Sequence, residues 1–583
     1  MAPSHRFRRI GFALFLTALA LGCWGPPAPT APNLADEPPA ESPDGPAWFE
    51  DITDRAGVNF VHDAGDVSKY FMHQCVGSGC AIADLDGDGR PELLLLTNGG
   101  AESISANKLY RQKPDGTFED ASAGSGLDFP GLNMGVAVGD VNNDGRPDLA
   151  ITRTNGTKLL LNLGGLKFAD ITVEAGVKNP TWGTSVAFLD FDRDGWLDLF
   201  VVNYVNYDPS WPCQSSTGAR DYCAPKVFQG TASKLFRNRG AELAKRPNPK
   251  NPSAAFEDVT VASRIGEKPG PGLGVAAFDA DGDGWPDVFV ANDGQPNHLW
   301  INKRDGTFAE EALIRGAACT VTGESFAGMG VAIGDANNDG LIDLYVTHLA
   351  SETNTLWKQA PRGRFRDVSA SWGLTATRRR GTGFGTLMAD FDNDGWLDLA
   401  IANGRVSRQS GGAPKPELAL HWQPYGERNQ VFANSGDGKF RDISHNSPAL
   451  CGHHTVARGL ACGDVDGDGA PDLLVNAIGE KARLLKGTAR ARGHWVAARA
   501  FDPALNRDAI GAEVSVRAGG TIRTRPIGSS ESFLSAGPAI AHFGLGRSDT
   551  VDSFEVIWPD GKREKFPGGP ADRRVELRRG AGE

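Results

Sequence analysis

Oxygen donors recur in this chain at one fixed spacing. A nine-residue loop carries Asp at positions 1 and 5, Asp or Asn at position 3, Asp or Glu at position 9, and Gly at position 6. We call each copy a ladder. Ladder 1 is Asp84, Asp86, Asp88 and Glu92, and ladder 2 is Asp140, Asn142, Asp144 and Asp148. Ladder 3 is Asp190, Asp192, Asp194 and Asp198, and ladder 4 is Asp279, Asp281, Asp283 and Asp287. Ladder 5 is Asp335, Asn337, Asp339 and Asp343. Ladder 6 is Asp390, Asp392, Asp394 and Asp398, and ladder 7 is Asp464, Asp466, Asp468 and Asp472. Four side-chain oxygens, a backbone carbonyl and water would supply the six to eight oxygens that Ca²⁺ prefers. Mg²⁺ wants a tighter octahedron and keeps its waters. Glycine at position 6 permits the sharp turn that brings the donors together. The spacing therefore predicts up to seven Ca²⁺ ions, one per ladder.

Composition agrees. The chain has 72 acidic and 60 basic residues, a net charge of −12. Without the ladder carboxylates it would be basic, so the acidity is concentrated in these loops. Several carboxylates within nine residues repel one another unless a cation neutralises them. An EF-hand would place its closing acid at position 12, between two helices. Here the acid falls at position 9, and an apolar run follows, as in Leu199-Phe-Val-Val-Asn203 and Val288-Phe-Val-Ala-Asn292.

The elements that must hold these loops repeat with them. Gly135-Val-Ala-Val-Gly139, Gly274-Val-Ala-Ala-Phe278 and Gly330-Val-Ala-Ile-Gly334 each precede a ladder. An apolar-aromatic pair near an Asn follows, as in Leu235-Phe-Arg-Asn238 and Leu299-Trp-Ile-Asn302. A Phe-x-Asp or Phe-x-Glu strand comes last, beginning at Phe118, Phe168, Phe256, Phe308, Phe365 and Phe440, with another copy at Phe49 before any ladder. Short apolar runs with Gly/Asp turns are strand signals. Ladders start 50 to 89 residues apart, a period that with four strands per unit indicates a β-propeller. The expected fold is all-β: a seven-bladed β-propeller over 47–487 and a small β-domain over 493–580. The last unit lacks its own Phe-x-Asp strand, so Phe49 is expected to complete it and close the ring. Two insertions, about 204–233 and 405–430, are expected on one face, where they could carry binding function.

Residues 1–22 read as an export signal, with Arg6, Arg8 and Arg9 before an apolar stretch. Leu19-Ala-Leu-Gly-Cys23 resembles a bacterial lipoprotein cleavage box, which makes Cys23 the expected lipidation site and the only membrane attachment. Residues 23–46 form a Pro-rich tether. Export permits disulfides; Cys213 with Cys223 is the first candidate, and Cys75 with Cys80 and Cys451 with Cys462 are the next. His453 and His454 have no partner nearby in sequence and read as surface or packing residues rather than ligands.

The ladders and Phe-x-Asp strands resemble the FG-GAP/VCBS calcium repeats of integrin α-type propellers. His494-Trp495, Asn506-Arg-Asp-Ala-Ile-Gly-Ala512, His542-Phe-Gly-Leu-Gly546 and Val556-Ile-Trp-Pro-Asp-Gly561 resemble the ASPIC/UnbV domain. Together they cover about 47–580 and resemble the cartilage-acidic-protein-like family. Tyr222-Cys-Ala-Pro225 fits as well, with Ala224 where the family usually has glycine. The resemblance implies an exported, calcium-loaded propeller and no particular reaction. We expect a non-enzymatic binding or adhesion protein of the cell envelope or exterior, recognising a protein or glycan through its face loops. The alternative is a calcium-dependent polysaccharide hydrolase or lyase. No Gly-x-Ser-x-Gly, His-Glu-x-x-His or phosphate loop occurs, and no basic stripe with interleaved aromatics favours nucleic acid.

Overall fold

The computed structural model describes Met1 and residues 45–583, apart from 101, 102, 104, 216, 217, 244–254, 378, 410–412 and 490–492. The export signal, Cys23 and nearly all of the tether lie outside the described residues. No helix among those described is long and apolar enough to cross a membrane.

Among the described residues of 49–487, seven antiparallel four-stranded sheets form. The fourth is typical: Gly272–Phe278, Asp287–Asn292, His298–Asn302 and Phe308–Glu310, paired in that order. The first two strands are almost wholly buried, because a neighbouring sheet packs on each face. Ala187, Leu189, Phe200 and Val202 of the third sheet, for example, meet Val275, Val288, Val290 and Trp300 of the fourth. The first strands contact one another in sequence order, and the last, Ala457–Gly463, contacts the first, Cys80–Ala83. The ring is therefore a closed β-propeller. Phe49–Asp51 pairs antiparallel with Arg483–Gly487, Phe49 opposite Gly487, so the chain's first strand is the outer strand of its last sheet.

The glycines that open the first strands have a steric reason. A Cβ on Gly330 would lie 1.9 Å from the Phe384 carbonyl oxygen of the next sheet, and one on Gly274 would lie 2.3 Å from that of Met329. Side chains would push the inner strands apart where they converge.

Ladders join the first strand to the second. The insertions join the second to the third and so leave from the opposite face. There they meet each other. Tyr425 Oη donates to Asp221 Oδ1 (2.6 Å), the Arg408 backbone N–H donates to Asp221 Oδ2 (2.9 Å), and Tyr222 Oη lies 3.0 Å from His421 Nε2. Cys213 and Cys223 form a disulfide in the first insertion. Cys75, Cys80, Cys451 and Cys462 are free thiols, which corrects the other two pairings. Cys75 ends in the helix Met72–Val76 with its thiol on the Met72 carbonyl, whereas the Cys80 thiol donates to Leu474 in the adjoining sheet. Cys451 closes a short helix, and Cys462 sits on an inner strand. His454 Nδ1 lies 2.8 Å from the Glu417 carboxylate.

Residues 494–578 form two further sheets. One centres on His494–Asp502, flanked by Ala541–Gly546 and, in parallel, by Arg573–Arg578; the other runs Thr521–Pro526, Glu513–Ala518, Thr550–Ile557, Arg563–Pro570. Val496, Val514, Val516, Phe543, Phe554 and Trp558 fill the space between them. The segment after Pro526 leaves this sandwich and enters the propeller channel. Inner strands present unpaired edge groups there, and an uncovered edge is costly. The segment meets them one sheet at a time. Ile82 N–H donates to Ala536 O, Val136 N–H to Leu534 O, Val138 N–H to Ser529 O and Val331 N–H to Ser532 O. Thr386 N–H donates to Ser532 Oγ and Cys462 N–H to Glu531 Oε1. At the far end the Phe533 ring packs edge-on against Phe384, centroids 4.9 Å apart. Phe533 is fully buried, so Phe533→Ala is expected to cost about 3–5 kcal/mol, read by denaturant unfolding. A loss below about 1 kcal/mol would show that the plug does not hold the ring.

Candidate metal centres

Each ladder folds by the same hydrogen bonds. The position 1 carboxylate accepts the position 6 glycine N–H at 2.7–3.1 Å in all seven. Position 6 has positive φ throughout, and so does position 4: Gly87, Asn143, Arg193, Gly282, Asn338, Asn393 and Gly467. The sequence reading missed position 4, although six of its seven residues are the types that tolerate this conformation. Arg193 is the exception, and its guanidinium stacks over Trp285 at 4.5 Å.

The position 9 carboxylate is 0–1 % exposed in every ladder. One oxygen accepts the N–H of position 2 at 2.8–3.2 Å. In ladders 2 to 7 the other accepts a backbone N–H from the end of the third strand, at 2.7–2.9 Å. That strand end also supplies the recurrent Asn or Gln. Its side-chain amide donates to the position 2 carbonyl of the preceding ladder: Gln112 to Val465, Asn162 to Leu85, Asn238 to Val141, Asn302 to Phe191, Gln359 to Ala280 and Asn434 to Ala336. Only the last sheet lacks the link, where Gly487 stands at that position.

Carboxylate oxygens of three acids lie within 4.8 Å of one another in five ladders. The groups are Asp84, Asp86 and Glu92; Asp190, Asp192 and Asp194; Asp279, Asp281 and Asp287; Asp390, Asp392 and Asp398; and Asp464, Asp466 and Asp472. Such groups could hold a metal ion. Ladders 2 and 5, with Asn142 and Asn337, form no such three-acid group among the described residues; their amide nitrogens donate to Asp144 and Asp339, both at 2.9 Å. The donor sets fit a hard cation on an independent observation. Glu92 Oε1, Asp190 Oδ1, Asn337 Oδ1 and Asp390 Oδ1 are buried with no hydrogen-bond partner, a costly state unless another positive group faces them.

The protein also supplies cations of its own, which meet part of the repulsion. Arg111 reaches Asp86 (2.8 Å) and Arg237 reaches Asp192 (2.5 Å). Arg315 reaches Asp281 (3.0 Å), Lys358 reaches Asp339 (3.0 Å) and Lys486 reaches Asp468 (3.0 Å). Arg111, Arg237, Lys358 and Lys486 share the penultimate position of the third strand, a signal the sequence reading did not use. Ladder 6 has Ala433 there. Its nearby positive charges are Arg523 and Arg525, from the C-terminal domain.

That domain covers the ladder face through the motifs that mark it. Arg507 Nη2 donates to Gly195 O of ladder 3 (3.2 Å), and Arg574 pairs with Asp464 of ladder 7 (3.1 Å). His542 Nε2 lies 3.0 Å from Gly469 O. Gly546 N–H donates to Asn393 O (2.9 Å), and a Cβ on Gly544 would sit 2.1 Å from Asp390 Oδ2. The glycines of His-Phe-Gly-Leu-Gly thus allow a strand to lie directly on ladder 6.

The FG-GAP-like repeat family matches residues 84–151, 140–201, 279–346, 335–401 and 415–475, and the ASPIC and UnbV family matches 502–583. The fold and site therefore define an FG-GAP-repeat propeller with an ASPIC/UnbV domain. The chain belongs to the FG-GAP-like repeat family. Cartilage acidic protein 1 of Xenopus tropicalis is 27% identical over 513 residues, covering 83% of this chain and 70% of that protein. The Homo sapiens protein of the same name is 25% identical over 510 residues, covering 83% and 69%. Among solved structures, an Agrocybe aegerita protein described as recognising non-reducing terminal N-acetylglucosamine overlaps 68% of this chain and 88% of its own, at 16% identity and a TM-score of 0.36.

Burial pushes the position 9 carboxyls up, to about 8 for Glu92 and Asp343, and well above the ordinary range for Asp148, Asp198, Asp287, Asp398 and Asp472. A carboxyl raised on folding binds more protons in the native state. Its contribution is fully present below the unfolded value near 4 and is lost as pH rises through the folded value. In chelator, the melting temperature is expected to fall from pH 5 to pH 8; a flat or rising profile would contradict these burial shifts. Gly544→Ala should raise amide hydrogen exchange across Ala541–Gly546 by about tenfold or more, while wild-type exchange in that variant would show that the close approach is not needed.

Proposed function

We propose that the protein is an exported, calcium-stabilised binding protein, in which Ca²⁺ fixes the ladder loops and a protein or glycan partner is recognised on the insertion face. The observation that carries the metal half is the set of five three-acid groups whose oxygens lie within 4.8 Å of one another, together with buried ladder oxygens lacking partners. Ca²⁺ is the hard divalent cation whose flexible, oxygen-rich coordination suits such loops. The residues that would hold it are those at positions 1, 3, 5 and 9. The Cys213–Cys223 disulfide supports export.

For the binding half, the insertions are stapled, by the disulfide and by Asp221, into a rigid surface. Tyr222, Trp422 and Tyr425 pack inside it, while Trp211 and Leu420 remain 53% and 84% exposed. Exposed large apolar residues on a rigid loop face suit a contact surface. Asp221 is committed to Tyr425 and to the backbone of Tyr222 and Arg408, which favours scaffolding over acid–base work.

Calcium binding to the native state stabilises it by about 2.7 kcal/mol per site at a hundredfold excess over Kd. Chelation is therefore expected to lower the melting temperature by about 10 °C or more. A melting curve indifferent to EDTA would remove the metal half. Equilibrium dialysis is expected to find five tighter sites and two weaker ones, ladders 2 and 5. Loss of a captured glycan or surface protein on Trp211→Ala and Leu420→Asp would support the binding half, whereas sugar cleavage by the calcium-loaded protein would replace it with the enzymatic alternative.

A further inference from the structure

Between the propeller and the C-terminal domain lies a vestibule of about 790 Å³. This is within the size range of small-molecule sites. Its walls are the channel ends of the inner strands, with apolar groups from Ile82, Val138, Leu189, Phe278, Ile333 and Leu387. Ser530, Glu531 and Ser532 of the plug line it, and the C-terminal domain closes it opposite. Arg499, Arg574 and Glu576 line one side and are exposed to solvent, as are Gly87 and Gly89 of ladder 1. The chamber thus reaches solvent beside ladders 1 and 7.

Several charges that line it stand beside opposite ones. Arg499 pairs with Asp508 (2.5 Å) and Arg574 with Asp464 (3.1 Å). Arg507 faces Asp190 and Asp140, and Arg525 faces Asp335 and Asp390. Glu531 faces no cation among the described residues. One oxygen accepts the Cys462 N–H at 2.9 Å. Burial pushes its carboxyl up to about 7. A buried carboxyl held by one backbone N–H and matched by no cation is a cost that a donor on a ligand could relieve.

We propose that the vestibule is a binding chamber for a small molecule with an apolar body and one hydrogen-bond-donating head, an amine or a hydroxyl, received by Glu531. This site is separate from the insertion face and does not depend on what that face binds. The probes are octylamine, 1-octanol and octanoate, titrated by calorimetry into the calcium-loaded protein. Octylamine and octanol are expected to bind at one site, with octanoate at least about tenfold weaker. Glu531→Gln should weaken octylamine about tenfold or more and change octanol by less than about threefold, since the amide oxygen still accepts. Ser530→Phe, which adds bulk on the chamber wall, should abolish both. Melting curves of the two variants confirm that they fold. Equal binding of octanoate, unchanged octylamine binding by Glu531→Gln, or no heat with any probe would overturn the proposal, the last meaning a chamber filled by water only.

Discussion

The ring depends on a carboxylate that has almost no exposure to solvent. At position 9 of each ladder it accepts the N–H that opens the loop and, in six of the seven, the N–H that ends the third strand. Loop, second strand and third strand are thereby fixed to one another by a single side chain. The amide beside the strand end then fastens the sheet to the previous ladder. The sheets are joined by apolar packing across their faces and by these polar links along one rim. Burying ionised groups is expensive unless they are hydrogen-bonded and matched by opposite charge. The same residues that organise the propeller therefore create a demand for cations at every blade.

The molecule answers that demand from several sources. Arginine or lysine from the third strand meets positions 3 and 5 in ladders 1, 3 and 7 and position 5 in ladder 5. Ladder 4 uses Arg304 and Arg315. At ladder 7 a side chain also reaches position 1, where Arg574 of the C-terminal domain pairs with Asp464. A divalent ion at the three-acid groups would share position 3 carboxylates with these side chains, as at Asp86, Asp192, Asp281 and Asp466.

Repetition is what made the fold legible. A single Asp/Gly loop is ambiguous, but seven with the same flanking strands force one architecture, and the early Phe49 strand identifies how the ring closes. The left-handed residue at position 4 was half legible, since glycine and asparagine fill it except at Arg193. The lysines and arginines of the third strand were visible as letters but had no meaning until the strand register placed them over the loop. The meeting of the two insertions was not legible, because Asp221 and Tyr425 are distant in sequence and neither belongs to a repeat. The plug was least legible of all. Residues 529–536 carry no apolar periodicity, for their work is to satisfy inner-strand groups contributed by several sheets.

This explains why the C-terminal domain is not an appendage. Its apolar core would allow a sandwich by itself, yet its distinguishing motifs lie outside that core. Asn506 and Arg507 approach ladders 2 and 3, His542, Gly544 and Gly546 approach ladders 6 and 7, and the plug runs down the axis. The glycines are required by ladder 6 rather than by the sandwich. Arg523 and Arg525 are likewise placed where ladder 6 has only Ala433 on its own sheet. A change in charge at ladder 6 must therefore be felt by the strand that rests on it, whereas the same change at ladder 1 is met first by Arg111. The seven loops are alike in sequence, but the structure gives them different neighbours, and through those neighbours different consequences.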